Sequence, residues 1–241
     1  MRVPYGLEII ESCLRCKLHV GKLFCNLPRA TLEALQTLGF SIAYPKDTVL
    51  FVQGQSPREI FVLCLGHVKI STASQTGKKF CLGIAEPGAV LGLSAAILGK
   101  SHEVTVEAVE PCQLRIIQGD RFLGLLRNDA AACLAAVRCL SNDVRKTDEC
   151  LRLLGLSHSA SEKLAKMLVQ WSMRERDDDA SNKVRLTVPL THQELAQMLG
   201  VARETVSRLL ADLRRKKLVQ WHGSNVVIQD KHALLALSSS A

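Results

Sequence analysis

The fold is decided by residues 190–210: Leu190-Thr191-His192-Gln193-Glu194-Leu195-Ala196-Gln197-Met198-Leu199-Gly200-Val201-Ala202-Arg203-Glu204-Thr205-Val206-Ser207-Arg208-Leu209-Leu210. Thr191 and Glu194 form a Thr-x-x-Glu capping box, which predicts a helix starting at His192. Leu195, Ala196 and Leu199 supply that helix with a buried face. Gly200 falls where a tight turn between two helices needs a positive φ. Val206, Leu209, Leu210 and Leu213 then form the inner face of a second helix. Its outer face carries Arg203, Glu204, Ser207, Arg208 and Asp212. This is the pattern of a helix-turn-helix whose second helix is shaped to enter a DNA major groove.

The chemistry of that outer face is readable. Arg208 can fork onto the O6 and N7 acceptors of guanine, and Glu204 can accept from a cytosine amino group. Each such contact is worth ~1–3 kcal/mol of base discrimination. Ser207 and Arg203 suit either a base edge or a phosphate. Arg214-Arg215-Lys216-Lys217 follow at once and suit backbone phosphates. Next come Leu218-Val219-Gln220-Trp221, a turn at His222-Gly223-Ser224-Asn225, and Val226-Val227-Ile228, which predict a hairpin wing. A plain helical hairpin with a basic solvated face is the alternative. Box, turn glycine, polar face and wing together argue against it.

Upstream of this unit the period changes twice. Cys133, Val137, Leu140, Val144, Thr147, Leu151 and Leu154 are spaced alternately by 4 and 3, a heptad seam on one long helix that Gly155 ends. A narrow apolar seam needs a partner, and a second copy of the chain is the economical one. From about Phe40 to Ile117 the chain reads as short apolar runs, such as Thr48–Val52, Ile60–Leu63, Val68–Ile70 and Val104–Val106. Gly54, Gly66, Gly77, Gly83, Pro87-Gly88 and Gly92 cut them, which predicts a compact antiparallel roll. A short helix carrying Leu32, Leu35 and Leu38 precedes the roll. Another covers Ser161–Trp171, and the charged stretch Arg174–Lys183, with Asp177-Asp178-Asp179, reads as a solvated loop.

The expected fold class is therefore α+β. Residues 1–28 form an N-terminal cysteine-rich segment, 29–125 a β-roll sensor, 126–155 a dimerisation helix and 156–241 a winged helix-turn-helix. With 241 residues and 47% hydrophobic composition, there is ample material for such cores. A formal charge of +8, from 31 Lys+Arg against 23 Asp+Glu, fits a polyanionic partner. The longest apolar stretch, Ala89–Gly99, falls short of the roughly 20 residues that a membrane span needs. Met1–Gly6 shows no hydrophobic leader, so the expected location is the cytoplasm, with no membrane partner.

Nine cysteines in a reducing compartment are better read as thiols than as disulfides. Cys64, Cys81, Cys133, Cys139 and Cys150 fall on strand or helix patterns, where cysteine behaves as a small hydrophobe. In Cys13-x2-Cys16-x8-Cys25, Cys13 and Cys16 are harder to assign to packing, because Arg15, Lys17 and His19 surround them. Closely spaced thiolates of this kind suit an iron–sulfur cluster or zinc, the latter with His19 as fourth ligand. A thiol–disulfide switch is a third reading, since basic neighbours lower a thiol pKa.

Nearly the whole chain resembles the CRP/FNR family of bacterial transcription regulators. Those proteins join a cyclic-nucleotide-binding-like jelly roll, a long dimer helix and a winged helix-turn-helix. Arg203-Glu204-Thr205-Val206-Ser207-Arg208 is similar to the family's recognition-helix signature, in its FNR-like form. The resemblance implies a homodimer reading a palindrome of TTGAT-type half-sites through Glu204, Ser207 and Arg208. It further implies an N-terminal [4Fe-4S] cluster, held by Cys13, Cys16 and Cys25 with Cys112 as fourth ligand, that answers to oxygen, nitric oxide or redox state. RNA polymerase would be a partner if the protein activates.

The family's cyclic AMP cassette is altered here. His102-Glu103 stands at the place of an Arg-Ser pair, and Glu103 would repel a cyclic phosphate. No acidic ribose-binding residue stands near Gly92, so a cyclic nucleotide is not expected. A thiol or zinc enzyme using Cys13, Cys16 and Cys25 is the remaining class. No nucleophile–base constellation, phosphate loop or HExxH-type motif supports it.

Overall fold

A computed structural model describes residues 4–16, 24–173 and 182–239. His19 and the acidic run Asp177-Asp178-Asp179 lie outside the described residues. The chain divides into two units, Met1–Lys146 and Thr147–Ala241. The class is α+β.

After short 3-10 turns at Pro4–Gly6 and Cys13–Arg15, the first unit forms α1 (Arg29–Leu38), which buries Thr31, Leu32 and Leu35. Eight strands follow: β1 (Gly39–Tyr44), β2 (Val49–Phe51), β3 (Glu59–Leu65), β4 (Val68–Ala73), β5 (Lys79–Ala85), β6 (Val90–Leu91), β7 (Thr105–Ala108) and β8 (Cys112–Gln118), with α2 (Leu93–Leu98) between β6 and β7. They form two antiparallel sheets in the orders β1-β8-β3-β6 and β2-β7-β4-β5, which together make the roll.

Alternation along β3 and β8 sorts their side chains between two cores. Phe61 and Leu63 of β3, with Cys112, Leu114 and Ile116 of β8, enter the core between the sheets beside Phe51 and Val106. Ile60, Val62 and Ile117 face the other way and join Phe24, Leu32, Leu35, Phe122, Ala135 and Ala136. Both faces of β3 are thus covered, which explains why Ile60–Leu63 reads as an unbroken apolar run. Fully burying one such Leu or Phe side chain contributes ~1.5–3 kcal/mol.

The long helix departs from its expected bounds of 126–155. Residues 126–128 belong to α3 (Gly119–Asn128), and α4 runs Ala130–Leu156. Asp129 separates them: its backbone is extended (φ −130°, ψ 106°), and its Oδ1 accepts the Ala132 N–H at 2.9 Å, capping α4. Gly155 does not end α4 but lies within its last turn.

The second unit holds α5 (Ala160–Ser172), capped by the Ser159 hydroxyl, then β9 (Val184–Thr187), α6 (His192–Leu199), α7 (Arg203–Arg215), β10 (Val219–His222), β11 (Asn225–Ile228) and α8 (Lys231–Ser239). Its sheet has the order β10-β11-β9, and α5 packs on α6, α7 and α8. Leu164, Leu168, Leu195, Leu199 and Ile228 are fully buried. Among the described residues, no helix is long and apolar enough to cross a membrane.

Candidate functional site

Two helices and a wing present the basic face. Thr191 caps α6 with a complete capping box: its Oγ1 accepts the Glu194 N–H at 3.2 Å, and Glu194 Oε2 accepts the Thr191 N–H at 2.8 Å. The Thr191 hydroxyl also donates to Glu194 Oε2, so its role here is to start the helix. Gly200 ends α6 at φ 67°, a left-handed conformation that costs little only without a Cβ. From there α7 buries Val206, Leu210 and Leu213, and Leu209 is half-buried. Arg203, Glu204 and Arg208 are exposed on its outer face, as the sequence predicts. Arg214, Arg215, Lys216 and Lys217 are exposed at its C-terminal end. Arg215 pairs with Asp212 at 2.8 Å, which partly neutralises it, while the other three present their charge outward.

Ser207 differs from the reading of the sequence. It is half-buried, and its hydroxyl shares a 3.0 Å hydrogen bond with His192 Nδ1. The His192 ring meets Trp221 edge-on, with centroids 6.5 Å apart. His192 therefore links α6, α7 and the wing, a role that sequence reasoning missed. The wing turns at Gly223-Ser224, and β9 adds to it a third, unforeseen strand through β11. The alternation Val184-Arg185-Leu186-Thr187, buried and exposed in turn, was the available signal.

Along α4 the heptad residues do not share one environment. Cys133, Val137, Val144, Thr147 and Leu151 are exposed, Val144 and Leu151 each at 62%. Leu140 instead packs partly on the core that contains Phe24 and Cys139. Leu154 is half-buried and turned toward Gly200.

The cysteine segment is tied to the roll. Gln113 of β8 clamps Ile10, accepting its N–H and donating to its carbonyl, both at 2.7 Å. Gln36 of α1 accepts the Ser12 hydroxyl at 2.9 Å and the Cys13 N–H at 3.1 Å. Cys13 and Cys25 pack against the core with Phe24 and Val62, and Cys16 is buried. Cys112 does not join them. It is fully buried in the other core, on the opposite face of β8 from Gln113. Gly66 walls it in, since a Cβ at Gly66 would come within 2.9 Å of Cys112 Cβ. The expected ligand Cys112 thus faces away from the segment, because residues of one parity on β8 fill the roll.

Burial and then neighbouring thiols, Cys64 first, followed by Cys16, Cys13 and Cys139, push the Cys25 thiol up to about 12. Burial, together with Cys13 and Cys16, likewise pushes Cys64 up to about 12, against a lowering by Arg115. A thiol raised in this way is a poor nucleophile, so Cys25 is not the reactive member of the segment. Among the described residues, no group of three His, Cys, Asp or Glu side chains is arranged to hold a metal ion, so there is no preformed zinc centre. A cluster makes a different demand: each thiolate binds its own iron around one shared space. The donor chemistry of Cys13, Cys16 and Cys25 fits that demand. So does a buried cation beside them. Arg115 is 4% exposed, its Nη1 donates to the Gln36 and Gly39 carbonyls at 3.1 Å each, and its Nε has no partner among the described residues.

Inside the roll, His102 is buried and stacked on Phe51, with centroids 3.9 Å apart. Burial holds its pKa below the ordinary value and favours the neutral ring. A neutral imidazole offers no cation to a phosphate.

Comparison with known proteins agrees with this geometry. Residues 41–129 match the cyclic nucleotide-binding domain, and residues 162–237 match the Crp-like helix-turn-helix domain. The chain is 28% identical over 196 residues to an anaerobic regulatory protein of Pasteurella multocida, covering 81% of this chain and 70% of that one. It is 26% identical over 230 residues to the transcriptional activatory protein AadR of Rhodopseudomonas palustris, covering 94% of each. In fold it is similar to a mutant of CooA from Carboxydothermus hydrogenoformans, with a TM-score of 0.72 at 22% identity, covering 86% of this chain and 90% of that one. It is also similar to a CRP/FNR family transcriptional regulator from Thermus thermophilus, with a TM-score of 0.65 at 20% identity, covering 83% and 99%.

Proposed function

We propose that this chain, which belongs to the CRP/FNR family of transcription regulators, acts as a homodimer that reads a palindromic DNA site and is switched through its N-terminal cysteines. The exposed row Arg203, Glu204 and Arg208 on α7 carries the reading. It combines a fork for guanine with an acceptor for cytosine, above a basic helix end suited to phosphates. Two copies joined along the exposed side of α4 would set two such helices one DNA turn apart. RNA polymerase is the further partner if the bound protein activates.

The switch is an iron–sulfur cluster, a [4Fe-4S] group held at Cys13, Cys16 and Cys25, and it supplies sensitivity to oxygen, nitric oxide or redox state when bound. The observation that supports it is the convergence of Cys13 and Cys25 on the core that also receives Ala135, Ala136 and Cys139 of α4. Whatever orders or releases the segment therefore acts on the helix that carries the apolar seam. The neutral, stacked His102 argues against a cyclic nucleotide as the signal.

The test is anaerobic purification with iron and sulfide assay, followed by titration of a palindromic duplex before and after exposure to air. Equimolar iron and sulfide, with site binding that changes as both are lost, is the expected result. A protein without iron that binds the site equally well in air and without it sinks the switch and keeps the regulator.

A further inference from the structure

We propose that Cys64, and not Cys112, is the fourth thiolate beside Cys13, Cys16 and Cys25, with the Arg115 guanidinium as the buried counter-charge of the group they hold. The inference rests on the cluster reading above and names the rest of its ligand set.

Sheet faces carry the argument. In β3, Phe61 and Leu63 enter the core of the roll, while Ile60 and Val62 face the core against which Cys13 and Cys25 pack. Cys64 is buried but lies outside the roll's core, its thiol reaching back to the Val62 carbonyl at 3.6 Å. It also sits at a bulge: Leu63 pairs with Leu114 and Leu65 with Gln113, so Cys64 is the extra residue with no opposite number on β8. Freed from the ladder, it lies beside the strand whose Gln113 clamps Ile10. Cys112, by contrast, is closed in by Leu114, Phe61 and Gly66 on the far side of the same sheet.

Arg115 is an independent witness. It lies on the same face of β8 as Gln113, opposite Val62 in the ladder. Among the described residues, its side-chain bonds go to the Gln36 and Gly39 carbonyls and no carboxylate pairs with it. A buried guanidinium without a counter-charge is strongly destabilising. Four thiolates around a cluster form an anionic group at the place where that charge is unanswered.

The experiment loads the full chain anaerobically with ferrous iron and sulfide and measures iron, sulfide and visible absorption, with far-ultraviolet circular dichroism as the folding check. The wild type is compared with Cys16→Ser, Cys64→Ser, Cys64→Ala, Cys112→Ala and Arg115→Gln. Cys64 variants should lose the cluster as Cys16→Ser does, while Cys112→Ala keeps the wild-type iron and sulfide. Arg115→Gln keeps all four thiols; it should shift the reduction potential negative and shorten the cluster's lifetime in air several-fold. A folded Cys64 variant with full iron and sulfide overturns the assignment. So does loss of the cluster in a folded Cys112→Ala. If neither Cys64 variant folds, Cys112→Ala decides: full loading supports Cys64, and lost loading overturns it. An unchanged potential and lifetime in Arg115→Gln removes the counter-charge. A wild type that takes up no iron overturns the cluster reading itself, an outcome distinct from a misplaced fourth ligand.

Discussion

Ser207 and His192 are joined by a 3.0 Å hydrogen bond between Oγ and Nδ1, so the recognition helix is fastened to the helix before it through a side chain on its own reading face. A hydroxyl engaged in this way positions the helix. Ser207→Ala and His192→Ala are each expected to cost about 1 kcal/mol of stability. The double variant should cost less than their sum, because both remove the same bond. Thermal melts and duplex titrations check this. A change of base preference in Ser207→Ala with unchanged stability would show that the serine reads a base.

Arg208 and Arg214 are expected to fail in different ways. Arg208→Ala should relax discrimination at one guanine by ~1–3 kcal/mol. Arg214→Ala should weaken all duplexes about equally and reduce the salt slope by about 1. Titrations of single-substitution operators at several salt concentrations separate the two. Uniform weakening in Arg208→Ala would make it a phosphate contact.

Val144 is 62% exposed on α4, so Val144→Asp should leave the protomer folded while dispersing the dimer in sedimentation velocity. Specific operator affinity should fall with it, since each protomer then holds one half-site. Leu140 is the poorer probe, because it also packs in its own protomer's core. A fully dimeric Val144→Asp would remove this side of α4 as the interface.

Asp129 predicts an acid limb to stability. The Thr31 hydroxyl, donating at 2.6 Å, and then the Ala132 N–H hold its carboxyl below the ordinary range. A folded pKa below the unfolded one, about 3.9, stabilises at higher pH, and the contribution is lost as pH falls through the folded value. Asp129→Ala should cost about 1 kcal/mol near neutrality, as loss of a helix cap does. The difference from wild type should shrink below about pH 4. Denaturant melts at several pH values check this, and a difference that stays constant into acid contradicts the linkage.

The helix-turn-helix was legible because its signals are local: a box four residues wide, one glycine and one apolar face. The same holds for Asp230, whose Oδ1 caps α8 by accepting the Ala233 N–H at 2.9 Å, although that helix went unread. The short strands of the roll were legible as runs, but their pairing was not. β8 pairs with β1 and β3, whose residues lie far from it in the chain. The place of Cys112 was misjudged for this reason. Proximity in the chain cannot tell which face of a strand a thiol occupies, and a one-residue register change moves it to the other side. His192 escaped notice because its partners Ser207 and Trp221 meet it only once the helices are folded.

The bulge at Cys64 bears on how a ligand at the proposed position would be gained or lost by descent. The residue has no opposite number on β8, so the pairs Phe61–Ile116 and Leu63–Leu114 stand without it. Deleting that single position would make the strand regular, leave Phe61 and Leu63 in register and take the thiol away. One inserted or deleted residue, rather than a rebuilt core, separates a roll that offers a thiol on this face from one that does not. If Cys64 is the ligand proposed above, a single insertion or deletion would add or remove it with the pairs before and after the bulge still in place.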